Sequence, residues 1–235
     1  VTTLPTLDLV AVGWFLVCWL VYGYVVDASP LRRRSLSHVM DGHRRVWIET
    51  MATREMRMVD TAIMTGLQNG TAFFASTSAL AIGAAFAVLN STDRIAEVIS
   101  DISPIGAVSP VEWEAKGFGL MLIYAYAFFK FGWAYRLFNY ASILIGAVPQ
   151  GEEVHTPAGR AAVERAADMI VIAGSHFNRG LRAMFLSVGL LGWFAGPWAF
   201  LAATTFIVAV LARRQFASRS LTAALHAAGD PPLRT

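Results

Sequence analysis

Three stretches without a single Asp, Glu, Lys or Arg, at residues 9–26, 61–92 and 183–212, decide what this chain can become. They run to 18, 32 and 30 residues. About 18–20 apolar residues suffice to cross a hydrocarbon core roughly 30 Å thick. The remaining sequence agrees. Only 15% of the 235 residues are charged, where a soluble domain carries about 25%, and the mean hydropathy is +0.52. The chain reads as an all-α integral membrane bundle, one membrane domain of about four spans with two amphipathic helices.

The spans fall at about 8–26, 61–89, 117–147 and 183–212. The first ends at Asp27 and the breaker "SPL", and carries Trp14, Trp19, Tyr22 and Tyr24, an aromatic load suited to headgroup level or to helix contacts. No Lys or Arg precedes it and no small-residue cleavage site follows, so it reads as a retained anchor. Cys18 lies inside it, the single cysteine of the sequence, and reads as a packing residue. Residues 31–60 predict an amphipathic helix, with Leu36, Val39, Met40, Trp47, Met51 and Met58 on one stripe. Residues 157–181 predict a second, opened by Thr156 as N-cap and Pro157 at the first helical position. There Val163, Ala167, Ile170, Gly174, Phe177 and Leu181 repeat at 4-3-4-3-4 spacing. Between spans two and three, Asp93, Glu97 and Asp101 would share one solvated helix face, ended by Pro104 and Pro110.

In the second span Gly66 and Gly70 form a GxxxG pair, and Ala75, Ala79, Gly83 and Ala87 continue a small residue at every fourth position. Lipid tails are as apolar as leucine, so helices associate through close backbone approach and interhelical hydrogen bonds. This face is expected to meet protein. The last span is interrupted by Gly196 and Pro197, where a kink is expected.

Orientation follows from counting Lys and Arg. Segments 27–60 and 148–182 carry seven and four, segment 90–116 two, and the tail from 213 four. Four spans place 27–60 and 148–182 in the cytoplasm and both termini outside. The tail "RRQFASRS" argues the other way, and would be cytoplasmic if 183–212 dipped in and returned at Pro197; at 30 residues that segment is short for two crossings. The net charge of +3 is modest and its basic residues sit at span ends, so nucleic acid is not an expected partner.

The third span raises the chemical question, because no 20-residue window in 117–147 avoids both Lys130 and Arg136. A cation at mid-bilayer costs about 2.5–3.5 kcal/mol on insertion scales. Three readings compete: the heads snorkel to an interface, they pair with a carboxylate or with polar groups of the second span, or they line a polar path. The candidate intramembrane cluster is Lys130, Arg136, Asn139, Gln68, Asn69, Asp60 and Arg182, with Asp60 expected to meet Arg136 or Arg182. His38, His43, His155 and His176 lack HExxH or other zinc spacing, and no histidine sits deep in a span as a haem ligand would. There is no P-loop, dinucleotide fingerprint or GxSxG. No catalytic, cofactor or metal residue is therefore nominated, and no cofactor is expected.

The blocks "GHRRVWIETMATREMRMVDTAIMTGLQNGTAFFASTSALAIG", "FKFGWAYRLFNYASILIGAVP" and "NRGLRAMFLSVGLLGWFAGPWAF", closed by "ARRQFASRSL", resemble the uncharacterised bacterial and plant membrane proteins grouped as domain of unknown function 599. The resemblance runs from about residue 36 to 221. It implies about four spans and no activity, so there are no family catalytic residues to carry over. Membrane physics singles out Arg45, Arg54, Asp60, Asn69, Lys130, Arg136, Asn139, Asn178, Arg179 and Arg182 within those blocks.

The expectation is a polytopic bacterial inner-membrane protein that is non-enzymatic and works by helix association. Its partners are membrane lipids and either further copies or other integral subunits. The alternative is a channel or transporter lined by Lys130, Arg136, Gln68 and Asn69 and gated at Gly196–Pro197. A lipid-modifying or redox enzyme is the weaker alternative.

Overall fold

The computed structural model describes residues 4–90 and 110–226, all of them in helices and short connections. A segment in hydrocarbon must satisfy its own backbone polar groups, which a helix does. The α-helices are α1 (Thr6–Asp27), α2 (Leu36–Ala52), α3 (Met58–Asn90), α4 (Pro110–Gly146), α5 (Pro157–Leu191), α6 (Pro197–Phe216) and α7 (Arg219–Leu225). Four helical stretches are long and apolar enough to cross a membrane: α1, α3, α4 and the one beginning at Pro197. The acidic face expected around Asp93, Glu97 and Asp101 lies outside the described residues.

Local chemistry sets the boundaries. The Ser35 hydroxyl accepts from His38 N at 3.3 Å and caps α2, and Thr156 accepts from Gly159 N at 3.1 Å and caps α5, with Pro157 at its first position. The helix expected over 31–60 is broken twice. Pro30–Arg34 is a 3-10 turn, and the chain leaves helical geometry after Ala52 before α3 begins at Met58. That second break turns the chain so that Trp47 and Arg54 both reach Asp60 in the first turn of α3.

The larger departure is at the C-terminal side. Helix α5 does not stop at 181 but continues to Leu191, so the expected span 183–212 is two helices. A 3-10 turn (Gly192–Ala195) leads to Gly196, whose φ of 125° is open to glycine and strained for other residues. Pro197 then starts α6. Instead of a kink, the chain reverses. A Cβ on Gly189 would stand 3.2 Å from Thr204 Cα, so the two arms touch backbone to backbone.

Successive long helices α3, α4, α5 and α6 therefore alternate in direction, and α1 runs parallel to α6. Trp14 Nε1 donates to Thr205 Oγ1 at 3.0 Å and Phe15 packs on Phe200. The tail beyond α6 leaves at the same end of the bundle as segments 27–60 and 148–156. The reversal at Gly196 thus removes the conflict that four spans created, and the three basic segments lie together.

Two hydrophobic cores are stacked along the bundle. One joins α1, α6 and the halves of α3, α4 and α5 nearest Gly196, around Phe15, Ile123, Phe131, Leu186 and Phe200. The other joins α2 to the far halves of α3, α4 and α5, around Ile48, Met51, Phe138, Ala166 and Ile170. Phe74, Phe131 and Phe177, with ring centroids 5.4–5.7 Å apart, mark the junction. Helix α5 crosses that junction with a small residue every seventh position, Gly159, Ala166, Ala173, Gly180 and Ser187, all buried. At Gly180 an added Cβ would press to 2.7 Å from the Phe131 ring.

Candidate functional site

Helix α1 measures the membrane. Its 22 residues span about 33 Å at 1.5 Å per residue, and its only charges are Asp8 and Asp27 near its two ends. At the Asp27 end, Arg179 Nε donates at 2.9 Å, and Arg182 donates through two nitrogens at 3.0 and 2.6 Å. Bidentate guanidinium–carboxylate pairs are among the stronger hydrogen-bonded contacts. Lys130 joins Asp27, Arg179 and Arg182 around one cleft of about 300 Å³. Its ammonium lies 5.1 Å from the Tyr126 ring centroid. Lys130 thus stands level with the Asp27 end of α1.

Beyond that level the polar groups expected inside the membrane separate into independent contacts. Asn139, nine residues past Lys130, lies about 13 Å further along α4. Gln68 Nε2 donates to Asn139 Oδ1 at 2.8 Å and to Ser142 Oγ at 3.0 Å, fastening α3 to α4. Arg136 is exposed, donating to Tyr140 Oη at 2.7 Å and stacking near the Trp133 ring. Asn69 is exposed on the outer side of α3. Asp60 meets neither Arg136 nor Arg182. It is fully buried and accepts from Trp47 Nε1 and Arg54, both at 2.7 Å. Arg182 is taken by Asp27 instead, a pairing the sequence reading missed although Asp27 was recognised as the end of the first span. Arg57, also missed, donates to the carbonyls of Val148 and Pro149 at 2.7 and 2.9 Å, closing the C-terminal end of α4.

A further polar pocket opens behind Asp27, between α1, α2 and α5, and holds Asp41, His38 and Asn178. Asp41 accepts from Arg44 at 2.7 Å, and the Arg44 guanidinium lies over Gly174, where a side chain would collide with it. Burial raises the Asp41 carboxyl above its ordinary 3.8, against the opposing pull of Arg44 and Arg32. On the surface of α2, Arg45 pairs with Asp168 at 2.6 Å. His43 Nε2 reaches Ala224 O at 2.8 Å, docking α7.

At the opposite end, Asp8 accepts a hydrogen bond from Trp193 Nε1. Lys116, 5% exposed, lies 6.0 and 5.9 Å from the Trp113 and Trp193 rings. Among the described residues, no three His, Cys, Asp or Glu side chains gather as metal ligands would.

The small residues of α3 fall on different sides. Ala75 packs against the first core. Gly66, Ala79 and Gly83 are exposed, and an added Cβ on Gly66, Gly70 or Gly83 would meet nothing within 4 Å. The buried line of α3 is instead Met64, Thr71, Ser78 and Ala85.

Fold and charge placement together define a polytopic helical membrane protein whose arginines, among the described residues, are concentrated at one end of its spans. A family described as "Protein of unknown function, DUF599" matches residues 10–220, and the chain belongs to that family. The match takes in α1 as well as the blocks that carried the resemblance. No curated protein and no solved structure matches the chain.

Proposed function

We propose that the protein is a non-enzymatic component of the bacterial cytoplasmic membrane that works by self-association through the outer face of α3. One observation carries the reading. Ala62, Gly66, Asn69, Phe73, Ser76, Leu80, Gly83 and Ala87 recur at 4-3 spacing and are all exposed. They lie opposite the buried line of the same helix. Ser76, Leu80, Gly83 and Ala87 lie alongside α1, where a helix facing only acyl chains gains nothing from glycine and serine at this spacing and a second copy packs closely against them. Ala62, Gly66, Asn69 and Phe73 carry the same stripe on beyond the Lys130 level. A two-fold interface sets like against like, Asn69 against Asn69 and Gly83 against Gly83. The basic end faces the cytoplasm, since the positive-inside rule then accounts for 27–60, 148–182 and the tail at once.

The test is mass measurement by light scattering in a mild detergent. The wild type is expected as a dimer or larger assembly. Gly83→Leu and Gly66→Leu are expected to yield monomers with an unchanged melting temperature, because neither site touches its own chain. A monodisperse wild-type monomer overturns the proposal.

A further inference from the structure

The cleft at the Asp27 end of α1 holds more positive charge than the chain itself neutralises. Three cations, Lys130, Arg179 and Arg182, line it with one carboxylate, Asp27. Asp27 occupies Arg182 through two nitrogens but Arg179 only through Nε. Among the described residues, the terminal nitrogens of Arg179 and the Lys130 ammonium have no carboxylate partner. Such a surplus is expensive next to hydrocarbon and is relieved by an anion brought from outside.

Position and shape select the anion. The cleft lies level with the end of a span, where headgroup phosphates run. Its walls are amphipathic: Tyr24 is exposed beside it, and Trp19 packs edge-on against Tyr126 at 5.3 Å. Leu20, 71% exposed, continues the wall toward the hydrocarbon. Aromatic rings at that depth are at home between phosphates and acyl chains. A soluble anion has no use for this apolar extension.

We propose that the cleft between α1, α4 and α5 is a binding site for an anionic glycerophospholipid. Its phosphate diester sits between Lys130 Nζ and the free terminal nitrogens of Arg179, and its acyl chains run along Leu20 and Trp19. Asp27 keeps the two arginines aimed, and of the two positive charges left when one carboxylate meets three cations, one phosphate diester neutralises one. The inference stands apart from the α3 interface and does not need it.

Lipid-depleted protein in a neutral detergent tests the site. Phosphatidylglycerol, phosphatidylcholine and inorganic phosphate are titrated separately, with melting temperature and lipid adducts in native mass spectra as readouts. Phosphatidylglycerol is expected to raise the melting temperature and to persist as one adduct, while the other two leave both unchanged. Lys130→Gln is expected to weaken phosphatidylglycerol binding about fivefold, the share of one cation at an anionic surface. Lys130→Arg restores it, and Arg136→Gln, off the cleft, leaves it at the wild-type level. Three results overturn the site: phosphatidylcholine binding equally well, inorganic phosphate matching the lipid, or Lys130→Gln binding as tightly as the wild type.

Discussion

Asp27 and Asp60 are two carboxylates with opposite surroundings, and they separate what charge does in this chain. Asp27 is half-buried among three cations, so Asp27→Asn leaves two arginines uncompensated. The expected loss is about 2 kcal/mol, between surface and buried ion pairs, read as a lower melting temperature in detergent. Asp60 is fully buried with two donors. Asp60→Ala frees both and is expected to cost about 3 kcal/mol, with Trp47 fluorescence reporting the loosened α2–α3 turn. Asp41 behaves differently, because burial raises its carboxyl. A carboxyl raised in the folded state adds stability below its unfolded value and loses that contribution as pH climbs through the folded one. At pH 7 its charge therefore works against the fold. Asp41→Asn is expected to melt higher than the wild type at pH 7, the gap closing toward pH 4. Of these pairings the sequence foretold none: it offered Asp60 to Arg136 or Arg182, and so many arginines leave the partner open until helix directions are known.

Among the elements, α3 and α5 exchange the roles their sequences suggest. The GxxxG of α3 points away from the chain, while the tight packing belongs to α5 through Gly159, Ala166, Ala173, Gly180 and Ser187. That seven-residue repeat is present in the sequence, hidden in an alanine-rich stretch where the 4-3 pattern of larger residues draws attention first. Gly180→Val is expected to destabilise strongly by displacing Phe131, and Gly83→Val to leave the melting temperature unchanged. Gly196→Ala places a side chain at φ 125° and is expected to cost about 1–3 kcal/mol. Helices α1 and α3 were legible from charge-free runs and the start of α5 from its cap. Helix α4 was read as a span in spite of Lys130 and Arg136, and α6 was merged with the end of α5 in one charge-free run. The end of α5 was not legible, because Arg179 and Arg182 look like a membrane boundary. Asp27, 152 and 155 residues away, pairs with both and lets the helix run on.

Across the whole molecule, the reversal at Gly196 fixes which ends lie together. A fluorescent protein that matures only in the cytoplasm, fused after α7, is expected to glow, and the same fusion before α1 to stay dark. Two dark fusions would reinstate a single crossing over 183–212. The arginines of the tail already pointed this way, and reading 183–212 as one crossing obscured it. The salt bridge at Asp27 also constrains how the chain is made. Helix α5 carries four arginines, and beyond the last of them, Arg182, only a short apolar stretch remains before the turn, too little to partition from the translocon unaided. Its counter-ion is on α1, which is synthesised before α5, so the carboxylate is already made when α5 emerges. Helix α1 is in that sense an insertion aid carried in cis, and shortening it by its last turn is expected to strand α5 at the surface.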